Sequence, residues 1–219
     1  LVASAEPMAE TSATDTGLRL QTRTIATSAA PAPAAALGAR QQRTRRNVVP
    51  LLVQCHGPIQ AAWLTQLTNA GMTVCGYVPD NGLLLEAASG AAAQALPFVR
   101  WVGEYTPADK IAPAVQRAVQ THAQLQQLHA ARPAALVPRN LPAAVEARWR
   151  NLAAPPTNQL TLTLQLFNAD DLVEVTALVR GCAGEVLMAT PVQGAGRLRI
   201  TAPADAVATL ARSAAVQWI

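Results

Sequence analysis

The chain has 219 residues, about half of them hydrophobic, and its 17 basic and 13 acidic side chains leave a net charge of +4. That length holds one or two small domains, and no apolar run reaches the roughly 18–20 residues that a membrane-spanning helix needs. The positive excess is mild and no basic stripe with interleaved aromatics is present, so neither nucleic acid nor a membrane span is expected.

Residues 1–46 are rich in Ala, Ser, Thr and Pro and are expected to be extended or disordered. Leu1-Val-Ala-Ser-Ala5 resembles the end of a secretory signal, with Ala3-Ser-Ala5 as an A-x-A site, so a secreted, periplasmic or otherwise extracellular location is expected. Leu18–Ile25 alternates and predicts a strand added to a sheet edge or lying along the surface. Arg40, Arg43, Arg45 and Arg46 form a basic cluster that reads as a solvated linker.

A first module is expected over 47–112. Val48–Cys55 predicts a strand, and Pro58 suits the first position of a helix whose buried stripe is Ile59, Ala62, Trp63, Leu64 and Leu67. Gly71 stops it, and Met72–Val78 and Leu83–Ala87 predict two strands around Pro79-Asp-Asn-Gly82, because Asn-Gly accepts the positive φ a tight hairpin needs. Ser89 opens a short helix to Leu96, and Val99–Val102 predicts a fourth strand. Thr106–Pro113 reads as an irregular strap. Residues 113–156 read as a helical linker, with one helix over Ala114–Ala131 and another over Leu141–Leu152.

The second module, 157–219, repeats the order. Gln159–Phe167 alternates apolar and polar residues, Leu172–Cys182 has helical spacing, Glu185–Thr190 and Arg197–Thr201 read as strands, Pro203 opens a helix and Val216–Ile219 closes the chain as a strand. Val53, Gly71 and Val74 match Leu166, Gly184 and Leu187 at a constant offset, and four extra residues fall in the second hairpin (Pro191–Gly196) or the second helix. The predicted fold class is α+β, two tandem ferredoxin-like βαββαβ modules joined by a helical linker.

Chemistry is sparse. Asp15-Thr-Gly17 and His56-Gly57 are short fragments with no nucleophile motif to complete a triad, so no catalytic role is expected. His122 and His129 share a helix side without a third ligand, and no cofactor or metal is expected. Cys55 and Cys75 fall on strands separated by a third, about 9–10 Å apart and beyond disulfide reach, so all three cysteines read as small packing residues. Trp101 and Trp218 read as core. The informative pattern is in the second sheet. Leu160, Leu162, Leu164, Leu166, Leu198 and Ile200 point one way, and Thr161, Thr163, Gln165, Arg197, Arg199 and Thr201 the other. That polar, partly basic face is either plain solvent surface or a docking surface.

Val53-Gln-x-x-Gly-Pro-Ile59, Trp63, Gly71, Tyr77-Val-Pro-Asp-Asn81, Val99-Arg-Trp-Val-Gly103, Tyr105-x-Pro107 and Lys110-Ile111 together resemble the amino-terminal pro-region of secreted subtilisin-like (S8 family) serine peptidases, and Leu18–Thr24 looks like its opening phrase. The aspartate, histidine and serine motifs of a catalytic domain do not occur in these residues. The resemblance implies an intramolecular chaperone and temporary inhibitor, whose partner is a subtilisin-like catalytic domain in the same precursor or in trans. It implies docking through Thr161, Thr163, Gln165, Arg197, Arg199, Gln217 and Ile219, with Ile219 close to the processing point. The alternative is a non-catalytic extracellular assembly subunit that keeps the pro-region fold and self-associates.

Overall fold

Two four-stranded antiparallel sheets carry the structure, a computed structural model that describes residues 17–27, 46–131 and 157–219, with single positions at 142 and 145 between. A hairpin comes first, β1 (Leu18–Arg19) and β2 (Thr24–Ile25). The first sheet unit follows as β3 (Val49–Cys55), α1 (Ala61–Asn69), β4 (Thr73–Val78), β5 (Gly82–Ala87), α2 (Gly90–Gln94) and β6 (Val99–Glu104). A 3-10 turn (Pro107–Lys110) and α3 (Pro113–Ala130) lead away from it. The second unit is β7 (Gln159–Leu166), α4 (Leu172–Gly181), β8 (Glu185–Val192), β9 (Ala195–Pro203), α5 (Ala206–Arg212) and β10 (Val216–Trp218). The sheet orders are β4-β5-β3-β6 and β10-β7-β9-β8, the same arrangement met from opposite ends. The fold is thus mixed α+β, with the same βαββαβ element order in both units.

Strand register locates the extra residues of the second unit. Val49 pairs with Ala87 and Val53 with Leu83, while Leu162 pairs with Ile200 and Leu166 with Gly196. Every one of these equivalences keeps the offset of the first strands, so the hairpin adds nothing. What is added lies after Ile200, around α5, and at Val216 it amounts to one residue rather than the four expected: Val102 pairs with Val53 and Val216 with Leu166, so the last strands are offset by 114 where the first are offset by 113.

The turn Pro79-Asp-Asn-Gly82 forms as its residues dictate: Asp80 and Asn81 both adopt positive φ, 67° and 62°, and Gln54 Nε2 donates to the Asp80 carbonyl at 3.0 Å. The first helix differs from expectation. It starts at Ala61 rather than at Pro58, with Gln60 extended at its cap, and Ala62 is exposed, so the buried stripe narrows to Trp63, Leu64 and Leu67. Trp63 stacks flat on Phe98, ring centroids 4.9 Å apart. In the second unit, Leu187 does not take the inward place of Val74. A bulge between Val186 and Met188 turns it outward, and Val186 packs on the core instead. The region expected to hold a helix over Leu141–Leu152, and most of 1–46, lie outside the described residues.

The two sheets differ in what covers them. β7 alternates exposed and buried positions along its whole length, and Leu160, Leu162, Leu164 and Leu166 join Val175, Val179, Leu198, Ile200 and Leu210 in one core. β3 is buried at every position. Its odd-numbered residues pack under α1 and α2, while Leu52 packs with Leu84, Trp101, Tyr105 and Leu18 of the hairpin on the opposite face. Leu18–Ile25 therefore adds no strand to a sheet edge; it forms a small hairpin laid across the first sheet, with Leu18 fully buried. A continuous apolar run such as Val49-Pro-Leu-Leu-Val53 is what two-sided burial requires.

Trp101 reaches this cluster on the opposite face only because Gly103, two residues on and on the same face, has no side chain. A Cβ there would lie 1.9 Å from Trp101 Cη2. Gly103→Ala must push the indole out of its slot and is expected to cost about 1–3 kcal/mol in denaturant unfolding, with a shift in Trp101 fluorescence.

Candidate functional site

The residues expected to dock a partner lie mainly on the outer face of the second sheet. Thr161, Thr163, Gln165, Arg197 and Arg199 are exposed, and register sets Thr163 opposite Arg199 and Gln165 opposite Arg197. Neither arginine has an ion-pair partner among the described residues. Met188, paired with Arg199, is 59% exposed, so the face carries an apolar spot beside its charge. Thr161, Thr163, Gln165 and Arg197 border a shallow hollow of about 310 Å³, closed at one end by Trp218 and Ile219 and by Ala112 and Val115 of the strap and α3. Arg199 lies outside it.

The last two expected docking residues are placed differently. Ile219 is 3% exposed, its side chain in the second unit's core. Its N–H donates to the Lys110 carbonyl at 2.8 Å and its carbonyl accepts from Ala112 N at 2.9 Å. The strap is thereby paired alongside β10, and Ile219 faces inward because that apolar side chain completes the core beneath the strand. Gln217 is half-buried, and its carbonyl accepts from the Tyr105 hydroxyl at 3.1 Å.

These contacts belong to a polar joint between hairpin, first unit and second unit that sequence reasoning missed. Asp109 is at its centre. It receives Arg23 Nε at 2.6 Å and Nη2 at 2.9 Å, the Thr106 backbone N–H at 2.9 Å and the Thr106 hydroxyl at 2.6 Å. Burial alone would raise its carboxyl, but the hydrogen bonds from Arg23 and Thr106 outweigh it and hold the group below the usual carboxylate range. Thr106-x-x-Asp109 has the spacing of a capping box, the one sequence signal that could have flagged it. Lys110 is fully buried, its Nζ donating to the Ser213 carbonyl at 2.7 Å. Burial pushes the Tyr105 phenol up, and the nearby Asp109 charge adds to that.

Arg46 forms a second link. It was expected in a solvated linker, and instead grips Glu86 of β5 through both terminal nitrogens, at 2.8 and 3.1 Å, while Nη2 also reaches Asp171 of the second unit at 2.9 Å. Both carboxylates are almost fully buried, so the guanidinium, with donors for two acids at once, is what makes that burial tolerable. Arg40, Arg43 and Arg45 lie outside the described residues. A larger cleft of about 670 Å³ opens between the hairpin, the β4–β5 turn and Trp218, floored by Leu52 and Leu84. The thiols of Cys55, Cys75 and Cys182 are free, and burial, helped by the charge of Glu86, raises Cys75 to about 12. Among the described residues, no helix is long and apolar enough to cross a membrane.

No match to a curated protein or to a solved structure was found. Residues 19–106 are similar to a family described as Domain of unknown function (DUF8729), a span that takes in the hairpin and the first sheet and stops where the joint begins.

Proposed function

We propose that the chain is a propeptide-type chaperone and temporary inhibitor of a subtilisin-like serine protease, built from two ferredoxin-like modules and docking through the open face of the second. The observation that carries this reading is that face: polar and exposed around a shallow hollow, with two arginines that have no ion-pair partner among the described residues. The first sheet offers no equivalent, since its second face is occupied by Leu18 and its neighbours. A rigid face that binds a folding nucleus lowers the loop-closure cost of a slow topology, and the same contact held afterwards blocks the enzyme. Ile219 belongs to the joint rather than to the face, so the docking proposed here rests on the sheet.

Adding the chain at micromolar concentration to an unfolded subtilisin-like catalytic domain of the same precursor should speed recovery of its fold and suppress its peptidase activity. Arg197→Glu with Arg199→Glu should weaken that inhibition at least about tenfold, more at low salt than at high, while leaving thermal stability within about 0.5 kcal/mol. Unchanged refolding and activity sink the reading.

A second reading, an extracellular assembly subunit, is favoured by β8. It is an eight-residue edge strand with Leu187 and Met188 both more than half exposed. Size-exclusion chromatography with light scattering separates the two: a concentration-dependent dimer supports assembly and a strict monomer removes it.

A further inference from the structure

β4 is an edge of the first sheet, and no strand pairs with its outer side among the described residues. Thr73-Val-Cys-Gly-Tyr-Val78 carries neither charge nor proline, the common guards of such an edge. Its one interruption, a bulge between Val74 and Gly76, sets Gly76 opposite Leu84. Hollows open on both faces of this strand. On the helix side, Leu64 and Thr68 of α1 border one of about 640 Å³ that runs along residues 72–77. On the other side, the cleft floored by Leu52 and Leu84 reaches β4 at Tyr77 and Val78. Tyr77 borders both and is 67% exposed. Register places Gly76, Leu84, Leu52 and Gly103 in one row across the sheet, on the face away from the helices. At the Gly103 end the Trp101 indole fills the space that a side chain would take. At the Gly76 end no described atom lies within 4 Å of where a Cβ would sit.

We propose that the outer edge of β4 accepts an extended, uncharged peptide as an added strand, with an aromatic side chain laid over Gly76 towards Leu84. An added strand satisfies the outward backbone groups of β4, and its side chains alternate between the two faces of the sheet. A hollow on each face of one bare edge fits that period of two. A ring opposite Gly76 covers the glycine's bare backbone, as Trp101 covers Gly103 at the other end of the row. The neighbouring peptide residues turn to the helix side, where Leu64 and Thr68 offer apolar and weakly polar contact. Charge selects against ions. The helix-side hollow has no charged residue, and the two that border the cleft are already paired, Arg19 with Asp80 at 2.8 Å and Asp109 with Arg23 at 2.6 Å. A charged peptide would give up water there without gaining a partner. This site belongs to the first unit and is independent of the docking face on the second.

The probe is the capped peptide acetyl-Thr-Val-Phe-Val-Thr-amide, titrated into the full chain and read by backbone NMR. The expected result is saturable shifts along β4 and at Leu84, a Kd below about 1 mM and slowed amide exchange on β4. Alanine or aspartate in place of the peptide's phenylalanine should weaken binding at least about tenfold. Alternate N-methylation of the peptide backbone, which removes strand pairing, should do the same, and so should reducing the probe to N-acetylphenylalaninamide. Gly76→Val should weaken binding at least about tenfold with melting unchanged or raised, since φ at Gly76 is not positive and the added side chain meets no described atom. Should Gly76→Val fail to fold, the altered peptides decide alone. Absence of shifts at about 1 mM peptide, or equal binding by the alanine or N-methylated peptide, overturns the proposal and leaves the docking reading standing. Slowed exchange on β4 that grows with protein concentration in the absence of peptide assigns the edge to a second copy of the chain, and overturns it too.

Discussion

Arg46→Ala is expected to lower the stability of the folded chain by about 3–5 kcal/mol, the usual consequence of removing one partner from buried charges. The loss comes less from the ion pairs themselves than from what remains. Glu86 and Asp171 keep their buried carboxylates and lose the donors that satisfied them, and each must take up a proton or draw in water. Lysine at this position recovers little, since a single ammonium cannot present the fork that meets both oxygens of Glu86 and one of Asp171 together. Combining Arg46→Met with Glu86→Gln and Asp171→Asn should be far milder than Arg46→Ala, because no buried charge is stranded. Urea unfolding of the three proteins tests this; a loss below about 1 kcal/mol for Arg46→Ala would mean that the two acids reach water.

Leu164→Ala is expected to cost about 2–5 kcal/mol. The side chain is fully buried opposite Leu198, at the middle of the second core, where helices on one side and the sheet on the other leave little room for collapse. The same strand carries Thr163 and Gln165 on the outer face, so a cavity beneath them disturbs the proposed docking surface from below. Leu164→Ala should therefore lose both stability and inhibition, where the double arginine reversal loses inhibition alone. Calorimetry beside the inhibition assay separates the two, and a Leu164→Ala protein with unchanged melting would refute the assigned core.

The sequence showed most clearly what is local. The alternation of Gln159–Leu166 sets which side chains face inward, and Asp80-Asn81 sets its turn, because both depend only on residues a few positions apart. Five of the seven expected docking residues lie on one exposed face for that reason. Gln217 and Ile219 do not, since their burial depends on Tyr105 and on the Lys110–Ala112 strap, more than a hundred positions away. Arg46 was hidden in the same way: nothing near it in the chain announces Asp171. The covering of the first sheet was half visible, in the unbroken apolar run of β3, but what covers it was not.

The strap has one more consequence, for where the chain can be cut. Thr106–Ala112 follows the first unit in sequence, yet while Asp109 holds the hairpin, Lys110 and Ala112 bond to the second unit, and Val115, Ala118 and Val119 pack on that unit's core as well. Division in space thus precedes division along the chain by some fifty residues. A fragment beginning at Thr157 leaves the outer edge of β10 bare and the core under Ile219 uncovered, whereas one beginning before Thr106 takes its own lid with it.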